Sequence, residues 1–206
     1  MKHYLFLILL LLISCKKNEV KKEMIPKDEI LDLRYEVLNQ LIDERIKERD
    51  SGNYLNNSVF HIPTHSVYFN VNDFDDEKPK PFGIYLKYDS IFSVKDSIYY
   101  KNQSNLIINF KLNKNRVNHQ LNYISDEELY RLREIGKSDF WEEFEKKYGN
   151  RCIESFSLPF FNKEKTICIV QNSMSCGPLD GGGKTIIYKK KNGKWVVLKT
   201  FDQWVS

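Results

Sequence analysis

Apolar runs are scarce in this 206-residue chain, and the longest, Tyr4–Ile13, sits at its start. At about 1.5 Å per helical residue it falls well short of a hydrocarbon core about 30 Å thick. It therefore reads as a secretion signal behind Lys2 and not as a membrane span. Charge of one sign is equally scarce. The formal net charge is +4 from 32 basic and 28 acidic residues, and the basic ones are interleaved with acids, as in Lys21-Lys22-Glu23. A nucleic-acid partner is not expected, because tracking a phosphate backbone takes a concentrated basic stripe. No internal repeat is evident. What the chain does have is aromatic residues, 14% with 12 Tyr and 13 Phe, a composition that favours sheet surfaces where rings pack across strands. The length fits one domain with a real core and a tail.

The apolar start ends in Leu12-Ile13-Ser14-Cys15. Two branched residues, a small residue and a cysteine resemble the processing site of bacterial lipoproteins. The resemblance implies cleavage before Cys15, lipidation of its thiol and acylation of its new amine, palmitate-type chains that hold a protein on a bilayer. Residues 1–14 are thus expected to be a signal peptide, 15–27 the lipidated Cys15 with a flexible tether, and 28–206 a single α+β domain. Lys16 follows the cysteine where an inner-membrane lipoprotein would carry aspartate, so the resemblance favours the outer membrane, with the periplasmic or surface face left open.

From Asp28 to Arg49 the apolar residues Ile30, Leu33, Val37 and Leu41, flanked by Leu38, Ile42 and Ile46, recur every three or four positions, which predicts an amphipathic helix. Its apolar face is expected against a sheet, or against another protein if the helix is a stalk. "VFHIP", "SVYFNV", "FGIYLKY", "LIINFKL" and "HQLNYI" predict strands. A helix opening at Ser93, with its hydroxyl capping the amide of Asp96, is expected to run to Gln103. Ser125–Glu128 is a capping box before "ELYRLREI", and Asp139 opens "FWEEFEKKY", with Gly136 and Gly149 as stops. "CIESFSLPFF", "TICIVQNSMSC", "KTIIYKKK" and "KWVVLKTF" predict a closing meander whose last turn, Asn192-Gly193, carries the type I′ hairpin signal. The fold class expected is α+β: a largely antiparallel sheet ending in a C-terminal meander, packed by a long N-terminal helix and two mid-chain helices.

Few motifs suggest chemistry. "GGGKT", Gly181–Thr185, ends like a phosphate-binding loop. Pro178 stands where the first glycine of that loop belongs, and a hairpin follows where a helix N-terminus is needed, so neither a nucleotide nor any other cofactor is expected. A wide glycine-rich connection between strands is the expected role. His61 and His65 have the spacing of a helical metal pair, near Asp73, Asp75 and Asp76, but Pro63 between them disfavours a helix, and in an extended chain the rings would be about 13 Å apart. No metal site is expected. Cys176 with His119, and Glu142 with Glu143, are conceivable as a nucleophile with its base and as an acid pair, but no spacing selects them. Phe140, Trp141 and Phe144 are expected in the core, with an exposed aromatic patch as the alternative.

The stretches "DFWEEFEKKYGN", "SFSLPFFNKEKTICIVQNSMSCGPLDGGG" and "IIYKKKNGKWVVLKTFDQWVS" resemble the C-terminal part of a widespread group of Bacteroidota lipoproteins. That resemblance covers roughly residues 139–206 and implies an address and a fold without assigning chemistry. It departs at Asp180, where many members carry a second cysteine. With Cys15 committed to lipid, Cys152, Cys168 and Cys176 remain. A turn at Asn162–Lys165 that sets Phe160 opposite Cys168 also sets Cys152 opposite Cys176, so this pair is the expected disulfide unless a one-residue bulge shifts the register. The function expected is that of an exported, lipid-anchored binding or assembly module of the cell envelope, without catalytic residues and with a protein partner. The alternatives are a periplasmic inhibitor or immunity protein, and a hydrolase of envelope polymers.

Overall fold

In the computed structural model the described residues are 30–50, 58–70, 83–136 and 139–206. Residues 1–29, with the expected signal peptide, Cys15 and the expected tether, lie outside them. Helix α1 spans Leu31–Asp50. Its stripe is buried as its spacing demands: Val37, Leu38 and Ile42 are fully enclosed, and Leu33 and Ile46 pack at the margins. They meet Phe60, Phe156, Val170 and Ile186 from the sheet, so the apolar face of α1 is covered within this chain.

Strands β1 (Val59–His61), β4 (Tyr123–Ile124), β5 (Ile153–Phe156), β7 (Ile167–Gly177), β8 (Asp180–Lys191) and β9 (Lys194–Val205) form one sheet in the order β4-β1-β5-β7-β8-β9, with β6 (Phe160–Phe161) also pairing with β7. The pairings from β5 to β9 are antiparallel, giving the closing meander, whereas β1 lies parallel to both β4 and β5. Asn192 and Gly193 take φ of 50° and 78°, as their type I′ turn requires. Strands β2 (Ser66–Phe69) and β3 (Gly83–Leu86) form a separate parallel pair. Phe69 joins it to Tyr100 and Phe160, with ring centroids 5.2 and 6.0 Å away.

Successive side chains of a strand face opposite ways. Phe60 and Phe156 therefore point to α1, while Val59 and Ile153 point to a second cluster with Leu129, Leu132 and Phe144. Those residues come from α3 (Asp126–Gly136) and α4 (Phe140–Tyr148). The β1–β5 end of the sheet is thus helix-covered on both faces. Asp139 caps α4 by accepting from the amide of Glu142 at 3.0 Å, and Gly149, at φ 77°, closes it. Only half of the expected capping box forms on α3. Ser125 accepts from the amide of Glu128, but the Glu128 carboxylate turns to Arg131 and Lys147.

Four expectations are corrected. "LIINFKL" is not a strand: its first residues close helix α2 (Ser97–Ile108), which presents Tyr100, Gln103 and Ile107 to the core at helical spacing and outlasts the expected end by five residues. Burial on one helical face overrides the strand propensity of Ile107 and Ile108. Ser93 caps a preceding 3-10 turn, accepting from the amide of Lys95 and not of Asp96. "HQLNYI" contributes strand only at Tyr123–Ile124. The register also slips within the meander. Ile153–Phe156 pair as the disulfide requires, but Phe160 faces Ile169 and Phe161 faces Cys168. The extra residue is absorbed at Ser157-Leu158-Pro159, where buried Arg34 donates to the Pro159 carbonyl.

Candidate functional site

Among the described residues strand β9 is the free edge of the sheet at the end of the meander, and it exposes apolar side chains between charged ones. Of eleven large hydrophobic residues exposed among the described residues, five lie on it: Val196, Val197, Leu198, Trp204 and Val205. Val197, Leu198 and Val205 are 60, 48 and 90% exposed, and Val197 and Val205 both line the groove on the α1 side. Register shifts at Ile187/Tyr188 and Gly183/Thr185, the second beside Asp202 at φ 49°, bulge the edge and limit indiscriminate strand pairing. Beside β9, between α1 and the sheet, runs a groove of about 530 Å³ lined by Leu41, Arg45, Glu48, Met174, Lys184 and Val205 among others. Arg45 bridges from this groove to Glu154, buried on β5, whose carboxyl is pushed up by its burial against the pull of Arg45.

The glycine cluster is not a wide connection. Gly181–Gly183 lie inside β8, and only Pro178 and Leu179 separate β7 from β8. Gly183 has a packing reason: a Cβ there would lie 2.5 Å from Nε1 of Trp204, whose indole rests on the strand. Lys184 and Thr185 continue the strand, so the amides of this segment pair with β7 and β9 and do not cradle an anion.

Register aligns His61, Ser155, Ser173, Gly183 and Trp204 in one row across five strands. Pleating puts this row on the α3–α4 side, two residues along from Val59 and Ile153. The first turn of α3 brings Asp126 over its end. Nε2 of buried His61 lies 2.7 Å from Asp126 Oδ1, and Nδ1 lies 3.2 Å from the Ser155 hydroxyl. An ionised carboxylate only accepts, so in the neutral imidazole Nε2 carries the proton and Nδ1 accepts from Ser155. The hydrogen bond from His61 holds the Asp126 carboxyl below its ordinary value, and Thr64 donates to the second carboxylate oxygen at 3.3 Å. His65 sits nearby, beside Gln171, and burial pushes its imidazole down to about 4.

The two histidines of "HIPTH" therefore serve separate contacts. Among the described residues no group of three or more His, Cys, Asp or Glu side chains is arranged to hold a metal. Asp73, Asp75 and Asp76 lie outside those residues. Cys152 and Cys176 are joined in a disulfide, while Cys168 is free and fully buried, its thiol pushed well above its ordinary value by that burial. His119 is not brought to Cys176; it hydrogen-bonds Asp43 on α1 at 2.7 Å. Glu142 and Glu143 both pair with Lys146, at 2.8 and 2.7 Å. Phe144 is buried, with Phe140 and Trp141 packed around it, against α3, Val59 of β1 and Ile153 of β5, the first strand of the meander.

Comparison with known proteins assigns nothing further: no family model, curated protein or solved structure matches the chain. Sequence reasoning had missed Ser155 and Asp126. Only the position of Asp126 just after the capping Ser125 hinted that its carboxylate sits at a helix start.

Proposed function

We propose that the chain is an exported protein of the cell envelope, held through Cys15 in the outer membrane, whose C-terminal meander binds a protein partner. The observation that carries this is the run of exposed apolar residues on the free β9 edge. Basic charge frames the patch: Asp180–Ser206 holds six lysines against two aspartates. The partner this fits is an extended, apolar segment of another envelope protein flanked by acidic residues, whose centre covers Val197 and Leu198 and whose rim meets Lys194 and Lys199. Residues 16–27, between the anchor and the domain, would set how far such a module reaches from the bilayer. Inhibition of an envelope hydrolase is one use of the same surface, and the identity of the bound chain would distinguish inhibition from assembly.

The test is capture in native cells of the full chain carrying a tag in its tether, with chemical crosslinking and identification of bound proteins. A stoichiometric partner is expected that disappears in Val197→Asp/Leu198→Asp and is depleted in Cys15→Ala. An identical set of captured chains in wild type and the double variant would overturn the reading.

A further inference from the structure

At the other end of the row lies a hydrogen-bonded relay that the binding reading does not include and does not depend on. We propose that Ser155, His61 and Asp126 form an acyl-transfer site, with Ser155 as nucleophile, His61 as its base and Asp126 as the positioning residue that fixes the tautomer of His61. The substrate class is a carboxylic ester.

The geometry supplies the three roles in order. In the neutral imidazole, with Nε2–H donated to Asp126 at 2.7 Å, Nδ1 of His61 is the acceptor that faces the Ser155 hydroxyl at 3.2 Å. The carboxylate is itself held by Thr64. His65, neutral above about 4, adds no positive charge that would oppose protonation of His61 at neutral pH. The neighbouring strands β1 and β7 flank β5, so the Ser155 amide belongs to the ladder and is not free to stabilise an oxyanion. That task falls to side chains on the same face, of which Ser173 is directly opposite Ser155.

In the first step Ser155 Oγ bonds to the ester carbonyl carbon while its proton passes to His61 Nδ1. The bond from that carbon to the alcohol oxygen then breaks, the alcohol leaves with the proton from Nδ1, and Ser155 is acylated. Water repeats the sequence: it gives a proton to Nδ1 as its oxygen bonds to the acyl carbon, Ser155 Oγ leaves and recovers the proton, and a carboxylic acid departs. Asp126 stays ionised throughout.

The experiment treats the detergent-extracted full chain with a fluorophosphonate, maps the adduct by mass spectrometry, and follows hydrolysis of p-nitrophenyl butyrate. One adduct on Ser155 is expected, absent in Ser155→Ala. His61→Gln should slow hydrolysis by about 100-fold or more. Asp126→Asn should lower kcat while leaving KM unchanged, a split that a purely structural contact would not give. Circular dichroism and the intact Cys152–Cys176 bond establish folding of each variant. An unlabelled Ser155 in the folded wild type, or equal hydrolysis by wild type and Ser155→Ala, would overturn the proposal. Val197→Asp/Leu198→Asp should leave labelling intact, which separates this failure from failure of the binding surface.

Discussion

His65 shows what burial does to a single titratable side chain here. Its imidazole is pushed down from 6.5 to about 4, chiefly by desolvation, with the charge of His61 adding to the effect and Gln171 and Asp126 opposing it. The folded state therefore binds fewer protons than the unfolded chain between those two values. Stability rises with pH across that window and is lost as pH falls from 6.5 toward 4. Denaturant unfolding at pH 7 and pH 4.5 should differ by about 2–3 kcal/mol from this group, and His65→Gln should remove most of that difference. A wild-type profile flat between those pH values would contradict the burial of His65. Spacing alone presented His61 and His65 as one pair. Their separate fates follow from partners distant in sequence, Ser155 at 94 and Asp126 at 65 residues from His61, which no local pattern announces.

Among elements, the clasp between α1 and the C-terminal hairpin ties the two ends of the domain. Gln40 receives the amide proton of Trp195 at 2.8 Å and donates to its carbonyl at 2.6 Å, while Glu36 accepts from the indole Nε1 at 2.9 Å. Trp195 is buried against Phe161, with centroids 5.6 Å apart. Trp195→Ala should cost about 3–5 kcal/mol and Gln40→Ala about 1–2 kcal/mol in urea unfolding. A loss below 1 kcal/mol for Trp195→Ala would mean that the hairpin folds independently of α1. Elements whose cause is local were legible in the sequence: α1 from its apolar spacing, the last hairpin from Asn192-Gly193, α4 from Asp139 and Gly149. Where the cause is distant, reading failed. The slip between β5 and β6 is anchored by Arg34, 125 residues from Pro159, and α2 is held by Gln103, whose side-chain amide donates to the Phe161 carbonyl and accepts from its amide. "LIINFKL" reads as a strand only until those contacts are known.

At the scale of the molecule, the chain divides its sheet between two kinds of surface. The β1–β5 end is enclosed by α1 on one face and by α3 and α4 on the other, and it holds the His61 row end. The β8–β9 end is open, with a groove along α1 and apolar side chains at its edge. The fold class was legible because strand count, turn chemistry and helix caps all pointed one way. The exposed apolar edge was not, since exposure of Val197 or Val205 depends on β9 being the last strand of the sheet, which only the topology decides. The central claim is that this open edge is the working surface of an envelope-anchored protein. The most direct measurement places a photo-crosslinking amino acid at Val197, or at Lys146 on the opposite helix α4, in the otherwise native full chain, and irradiates intact cells. The account predicts one discrete adduct from position 197 and none from position 146. Adducts of equal yield from both positions, or none from position 197, would contradict it.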